Sequence, residues 1–290
     1  MADNAVSAER VVVAVNGGPE SDAALEWVID RARTRSLEVD VTTVVELGWS
    51  PAAGTVQEML PAYESVLTKA VKRVQKEAPT AVTTGFVRRG VPRFELLNAA
   101  SRADLLVVGT HEPTGVFHGF LPHQLASAAR CTIVVVAAKW TPPNGPVVVG
   151  AHDDETSQVA LDFAAREAMH RGSELVVMHA WRVPAVLALG RLGGRDPHVR
   201  VQTAHQDILD RCVTRIQTEY PDLRIRPVLE EGPPAQCLVD IAEQADLVVV
   251  GTHRHGAVPG LLLGSVAHDV LVNMPCPVAV VPHPDAPEHD

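Results

Sequence analysis

Short runs of branched aliphatic residues punctuate the chain, and the segments between them place apolar residues at helical spacing. The runs fall near residues 10–16, 38–45, 82–88, 104–109 and 132–138, and again near 147–152, 174–180, 224–230, 246–251 and 277–282. Each is of strand length and apolar on both faces, as in Val11 to Val13 or Val248 to Val250. That pattern belongs to strands of a parallel sheet covered by helices on both sides. Ser21 reads as the N-cap of a helix reaching about Arg35, and a longer helix is predicted from Gln57 to Glu77. Strand and helix alternate throughout, so each half reads as a five-stranded, doubly wound α/β domain.

The two sets of runs are one pattern written twice. V-V-V-A-V-N (Val11 to Asn16) and S-D-A-A-L-E-W-V (Ser21 to Val28) are answered 136 positions later by V-V-V-G-A-H (Val147 to His152) and S-Q-V-A-L-D-F-A (Ser157 to Ala164). Gly90 to Pro92 answers Gly232 to Pro234, and A-D-L-L-V-V-G-T-H (Ala103 to His111) answers A-D-L-V-V-V-G-T-H (Ala245 to His253), both at an offset of 142. C-T-I-V-V-V (Cys131 to Val136) answers C-P-V-A-V-V (Cys276 to Val281) at 145. Five matches in one order make the chain an internal duplication. The domains are expected over 1–140 and 146–290, joined by Lys139 to Pro146, where proline and glycine continue neither strand.

Composition narrows the functional classes. With 25 basic and 35 acidic residues the chain carries −10 at pH 7, and no segment concentrates lysine or arginine, so neither nucleic acid nor an anionic membrane is an expected partner. The four cysteines (Cys131, Cys212, Cys237, Cys276) lie far apart without C-x-x-C spacing, which argues against a zinc site or a disulfide framework. No run approaches 18 apolar residues and Met1 to Arg10 is polar, so a cytoplasmic, soluble protein is expected. Among 13 histidines, His152, His179, His253 and His255 are candidates to approach one crevice, but their spacing is not that of H-E-x-x-H. G-x4-G-K-S/T, G-x-G-x-x-G and G-x-S-x-G are all missing, which removes the machinery of the standard kinase, dinucleotide and hydrolase readings.

The order of first-strand motif, D-L-V-V-V-G-T-H, Gly-rich loop, L-L-L-G-S-V-A and C-P-V-A-V-V resembles a tandem universal stress protein over nearly the whole chain, the second copy more closely. The resemblance implies a flavodoxin-like fold of strand order 3-2-1-4-5. It implies a pseudo-twofold pairing of the halves through their fifth strands, with a homodimer as a further form of assembly. It also implies ATP, with Mg, bound through G-x2-G-x9-G-S/T by a regulatory module that signals to a protein partner. Carried onto this sequence, the nucleotide-binding residues are His152, Ala180, Gly251, Arg254, Gly264, Ser265 and Val266, with Asn16 and Gly109 as weaker first-domain equivalents.

The chemistry of that motif also stands on general grounds. In an open parallel sheet the ligand crevice lies beyond the strand C-termini where the strand order reverses, here between the first and fourth strands. Glycine lets the backbone approach phosphate oxygens, the following helix turns its positive end toward them, and serine adds a hydroxyl donor. Arg254 stands where the motif has its second glycine, and its guanidinium is suited to clamping a phosphate bidentately. Asn16 and His152 stand where family members commonly have an aspartate facing the adenosine. The first domain departs further: Glu112 replaces the second glycine, and Gly-Ser becomes Pro122–His123 or, with one gap, His123–Gln124. A carboxylate about 4 Å from a phosphate costs on the order of 1 to 4 kcal/mol at surface-like dielectric. A single nucleotide in the second domain is therefore expected. The alternatives are an interaction protein with decayed sites, and an enzyme capable of slow ATP hydrolysis at most.

Overall fold

The computed structural model describes residues 8–46, 56–110, 120–141, 145–183, 197–252 and 263–283. The chain forms two compact units that divide in sequence at Pro142. The first contains β1 (Glu9–Ala14), α1 (Pro19–Ala32), β2 (Leu37–Val45), α2 (Val56–Glu77), β3 (Val82–Arg89), α3 (Pro92–Ala99), β4 (Leu105–Thr110), α4 (Phe120–Ala128) and β5 (Thr132–Ala137). The second contains β6 (Val147–Gly150), α5 (Glu155–Arg171), β7 (Leu175–Trp181), α6 (Pro197–Glu219), β8 (Ile225–Glu231), α7 (Pro234–Ala242), β9 (Leu247–Gly251), α8 (Ser265–Val272) and β10 (Val278–Val281).

Within each unit the strands are parallel, in the order β3-β2-β1-β4-β5 and β8-β7-β6-β9-β10. This is the order 3-2-1-4-5 twice over. Val11, Val12 and Val13 of β1 and Val147, Val148 and Val149 of β6 are all buried, so consecutive side chains meet helices on both faces. The outer strands β3 and β8 are far more exposed. Pro227 sits in β8, where an edge strand tolerates a missing N–H.

Ser21 does not cap α1. The helix starts at Pro19 with Gly18 at the N-cap, and Ser21 is buried in the first turn, its hydroxyl donating to the Gly18 carbonyl at 2.9 Å. Proline fits the first helical position because its missing N–H would have had no partner there. In the second unit a side chain does the capping: Asp154 accepts from the Ser157 N–H at 2.8 Å. That helix ends at Gly172 in the left-handed conformation, φ 63°, with its N–H directed to the Ala168 and Met169 carbonyls.

Candidate functional site

In the second unit the strand order reverses between β6 and β9, and a cleft of about 190 Å³ opens at their C-terminal ends. Gly150 and Gly251 end these strands at the floor of the cleft, His152 and Asp154 follow β6, and Ser265, Val266 and Ala267 form the first turn of α8. Gly251 is required by proximity: a Cβ there would lie 2.8 Å from Thr156 Cγ2 and 3.2 Å from its carbonyl oxygen. Gly264 is the N-cap of α8 without a side-chain cap, and its φ of −56° and ψ of 148° are open to other residues. No side chain among the described residues caps α8, and Ser265, Val266 and Ala267, which carry its first N–H groups, line the cleft.

Of the sequence-predicted residues, His152, Ala180, Gly251, Ser265 and Val266 line this one cleft and Gly264 adjoins it. Arg254, His253, His255 and Glu112 lie outside the described residues. Thr156, Ser157, Met178, Pro234 and Leu238 line it too and were not foreseen. Serine and threonine before a helix carried only a capping signal, and nothing in the order of residues shows that α7 closes one wall.

The loop after β6 is held from within. Ser157 Oγ accepts from the His152 N–H at 2.7 Å, and His152 Nδ1 lies 3.2 Å from Asp154 Oδ2. Behind it His179, 1% exposed, places Nδ1 at 2.7 Å from the Ala151 carbonyl and Nε2 at 2.8 Å from His205 Nδ1. The His152 and His179 rings are 5.7 Å apart, so these two predicted histidines do converge, joined by His205 from α6. Burial holds the pKa of His179 below the ordinary imidazole value, against the pull of the Ala151 carbonyl, and the neighbouring His205 and His152 add to the lowering. Burial lowers His205 as well, with His152 contributing.

The cradle suits an anionic nucleotide: a glycine pressed against the start of α5, an uncapped helix N-terminus with a serine in its first turn, and apolar walls from Met178, Val250 and Leu238. The fit to Mg is poorer. No cluster of three metal-ligating side chains occurs among the described residues. Asp154 is engaged in capping, and Asp153 pairs with Arg211.

The corresponding place in the first unit is built differently. Glu20 takes the position of Thr156 and is buried; its Oε1 accepts from Asn16 Nδ2 at 3.2 Å. Asn16 Oδ1 accepts from the Gly18 N–H at 2.8 Å, so both polar ends of Asn16 serve its own loop. A Cβ on Gly109 would overlap the Glu20 carbonyl. The counterpart of Gly264–Ser265 also needs correction. Buried positions match from Pro122, Leu125, Ala126 and Ala129 to Ala267, Val270, Leu271 and Met274, a constant offset of 145. Pro122 and His123 therefore answer Ala267 and His268, while Gly119–Phe120 answers Gly264–Ser265. The glycine survives in the sequence, the hydroxyl does not, and Pro122 removes an N–H from the first turn of α4.

A model described as the universal stress protein family matches residues 8–137 and 143–282. This chain belongs to the universal stress protein family. A universal stress protein of Mycobacterium tuberculosis strain H37Rv is 30% identical over 304 aligned positions, covering 96% of each chain. Among solved structures, a universal stress protein from Archaeoglobus fulgidus DSM 4304 aligns with a TM-score of 0.73 at 18% identity, over 96% of this chain and 99% of its own, and shares the flavodoxin-like fold. An Archaeoglobus fulgidus universal stress protein in complex with dAMP aligns with 48% of this chain and 98% of its own, at 24% identity and a TM-score of 0.36. Among the described residues no helix is long and apolar enough to cross a membrane.

Proposed function

We propose that this universal stress protein is a nucleotide-binding regulatory module that holds one adenine nucleotide, ATP or a relative, in the cleft of its second unit. The observation that carries the reading is the joint placement of Gly251, Ser265 and the uncapped first turn of α8 around a cleft at the reversal of strand order. The phosphates face the α8 N-terminus and the nucleoside faces the histidine and β7 side, where Ala180 leaves room. Among the described residues the site offers binding groups rather than a nucleophile with its activating base, and uniform binding does not accelerate chemistry. Phosphate release, if measured, stays far below about 10 per second.

Freshly purified protein, denatured and chromatographed, is expected to release an adenine nucleotide, and ATP titration calorimetry to give one site per chain. Gly264→Val tests the geometry: the backbone accepts valine, while the side chain blocks close approach of a phosphate to the helix. Its expected result is a folded protein with affinity reduced at least about 100-fold, the loss expected when several charge-assisted bonds fail together. A parent protein that carries no nucleotide and gives no heat with ATP overturns the reading.

A further inference from the structure

His179 and His205 form a hydrogen-bonded row behind His152, and their bonding fixes where a proton can sit. A carbonyl oxygen only accepts, so His179 Nδ1, 2.7 Å from the Ala151 oxygen, carries the hydrogen of that bond. In the neutral ring Nε2 is then a lone pair, and the 2.8 Å contact to His205 makes His205 Nδ1 the donor. The remaining basic atom is His205 Nε2. A proton there leaves both bonds intact, whereas a proton on His179 Nε2 while His205 keeps its Nδ1–H sets two N–H groups against each other; the added proton therefore enters at His205 Nε2 and is shared across the 2.8 Å bond. The row accepts one proton, through His205 on α6, one ring behind the cleft-lining His179.

The charges around the row leave room for it. From the loop after β6 come His152, with Asp154 beside it, and Asp153, paired with Arg211 of α6. Asp207 and Cys212 share α6 with His205. From β8, Glu231 is 2.9 Å from His198 Nε2 of α6, and the Trp181 ring of β7 is 5.0 Å from that of His198 and 5.8 Å from that of His205. α7 and α8 present only uncharged residues to the cleft, among them Leu238 and Ser265. Among the described lining residues the groups able to become positive are therefore His152 and His179.

We propose that the second-unit cleft takes up its anionic ligand together with a proton held by the hydrogen-bonded His179–His205 row, so that binding tightens as the solution is acidified. The inference rests on the nucleotide reading above. An anion in the cleft favours a proton on His179 and His205, whose charged forms burial opposes in the free protein. By linkage the complex binds more protons than the free protein. Affinity therefore rises as pH falls from the titration of the row in the complex to that of the free row, and levels off below it.

The test is ATP calorimetry at pH 7.5 and 5.5 in two buffers of different ionisation enthalpy, on the parent and on His205→Asn. Asparagine keeps an N–H to offer His179 but cannot take the proton. Because the terminal phosphate of ATP titrates in the same range, the quantity read is the difference between the two proteins. For each ligand bound, the parent is expected to take up at least about half a proton more than His205→Asn does, and its gain in affinity on acidification is expected to be about threefold larger or more. Imidazole NMR of the free protein is expected to show His179 as the Nδ1–H tautomer and His205 titrating before it. Equal proton uptake in both proteins, or His179 titrating first, overturns the inference alone. No ATP binding at either pH overturns the nucleotide reading and this one with it.

Discussion

At the residue scale the four cysteines show how burial replaces chemistry. All four are buried and free, and burial pushes the Cys131 and Cys276 thiols up to about 12, with Asp104 and Asp246 respectively adding to the effect. Cys212 and Cys237 are raised as well, chiefly by desolvation. The thiolate is the reactive form, so at pH 8 the native protein is expected to react with a disulfide reagent far more slowly than the same chain in denaturant, where all four thiols respond. The pH dependence follows from the sign of the shift. A thiol whose folded pKa lies above its unfolded value costs no stability below about 9, and stability falls as pH rises toward 12, because the unfolded chain ionises first. Denaturant midpoints across that window, compared with a Cys131→Ala, Cys276→Ala variant, measure it; an identical pH profile in the two proteins contradicts the account.

At the element scale the strands were legible and the helix starts were less so. A run such as Val11 to Val13 reads as a covered strand because it is short, β-branched and apolar on both faces. Helix starts are ambiguous where two residues compete, as Ser21 competed with Gly18 and Pro19; the proline was the better signal, and the serine went to the core instead. The register of α4 was hidden for a similar reason. Counting from Gly109 carries any length change in the loop into the alignment, whereas the buried positions from Pro122 to Ala129 are tied to the sheet. Gly172 provides a clean measure of local conformation, since its φ is +63° and an added Cβ meets nothing within 4 Å. Gly172→Ala is therefore expected to lower stability by about 1 kcal/mol through the left-handed backbone alone, and Gly172→Asn by less, because asparagine tolerates that region. Urea unfolding of the two variants separates them, and equal losses would point to packing that the geometry does not contain.

At the scale of the whole molecule the duplication has produced two unequal crevices. The Gly264–Ser265 turn that meets the second-unit cleft was legible because a spaced motif survives in linear order. The plug in the first unit was not, because nothing in N-G-G-P-E-S shows that the Glu20 side chain turns back beneath Asn16 and is buried there. A buried carboxylate repels a phosphate more strongly than an exposed one, since solvent screens it less. Phe120 and Pro122 also withdraw a hydroxyl and an N–H from the turn that would hold the anion. Removing the charge alone therefore does not restore a site. Glu20→Thr, which copies Thr156, is expected to leave the stoichiometry at one nucleotide per chain with unchanged affinity, while Gly264→Val weakens that one site at least about 100-fold. Gly109 is unsuitable as the first-unit control, because any side chain there collides with the Glu20 carbonyl and perturbs the fold. Calorimetry on the two variants decides the matter. A second site in the parent, or loss of binding on changing Glu20, would show that the first crevice takes part and that its carboxylate is a ligand contact rather than a plug.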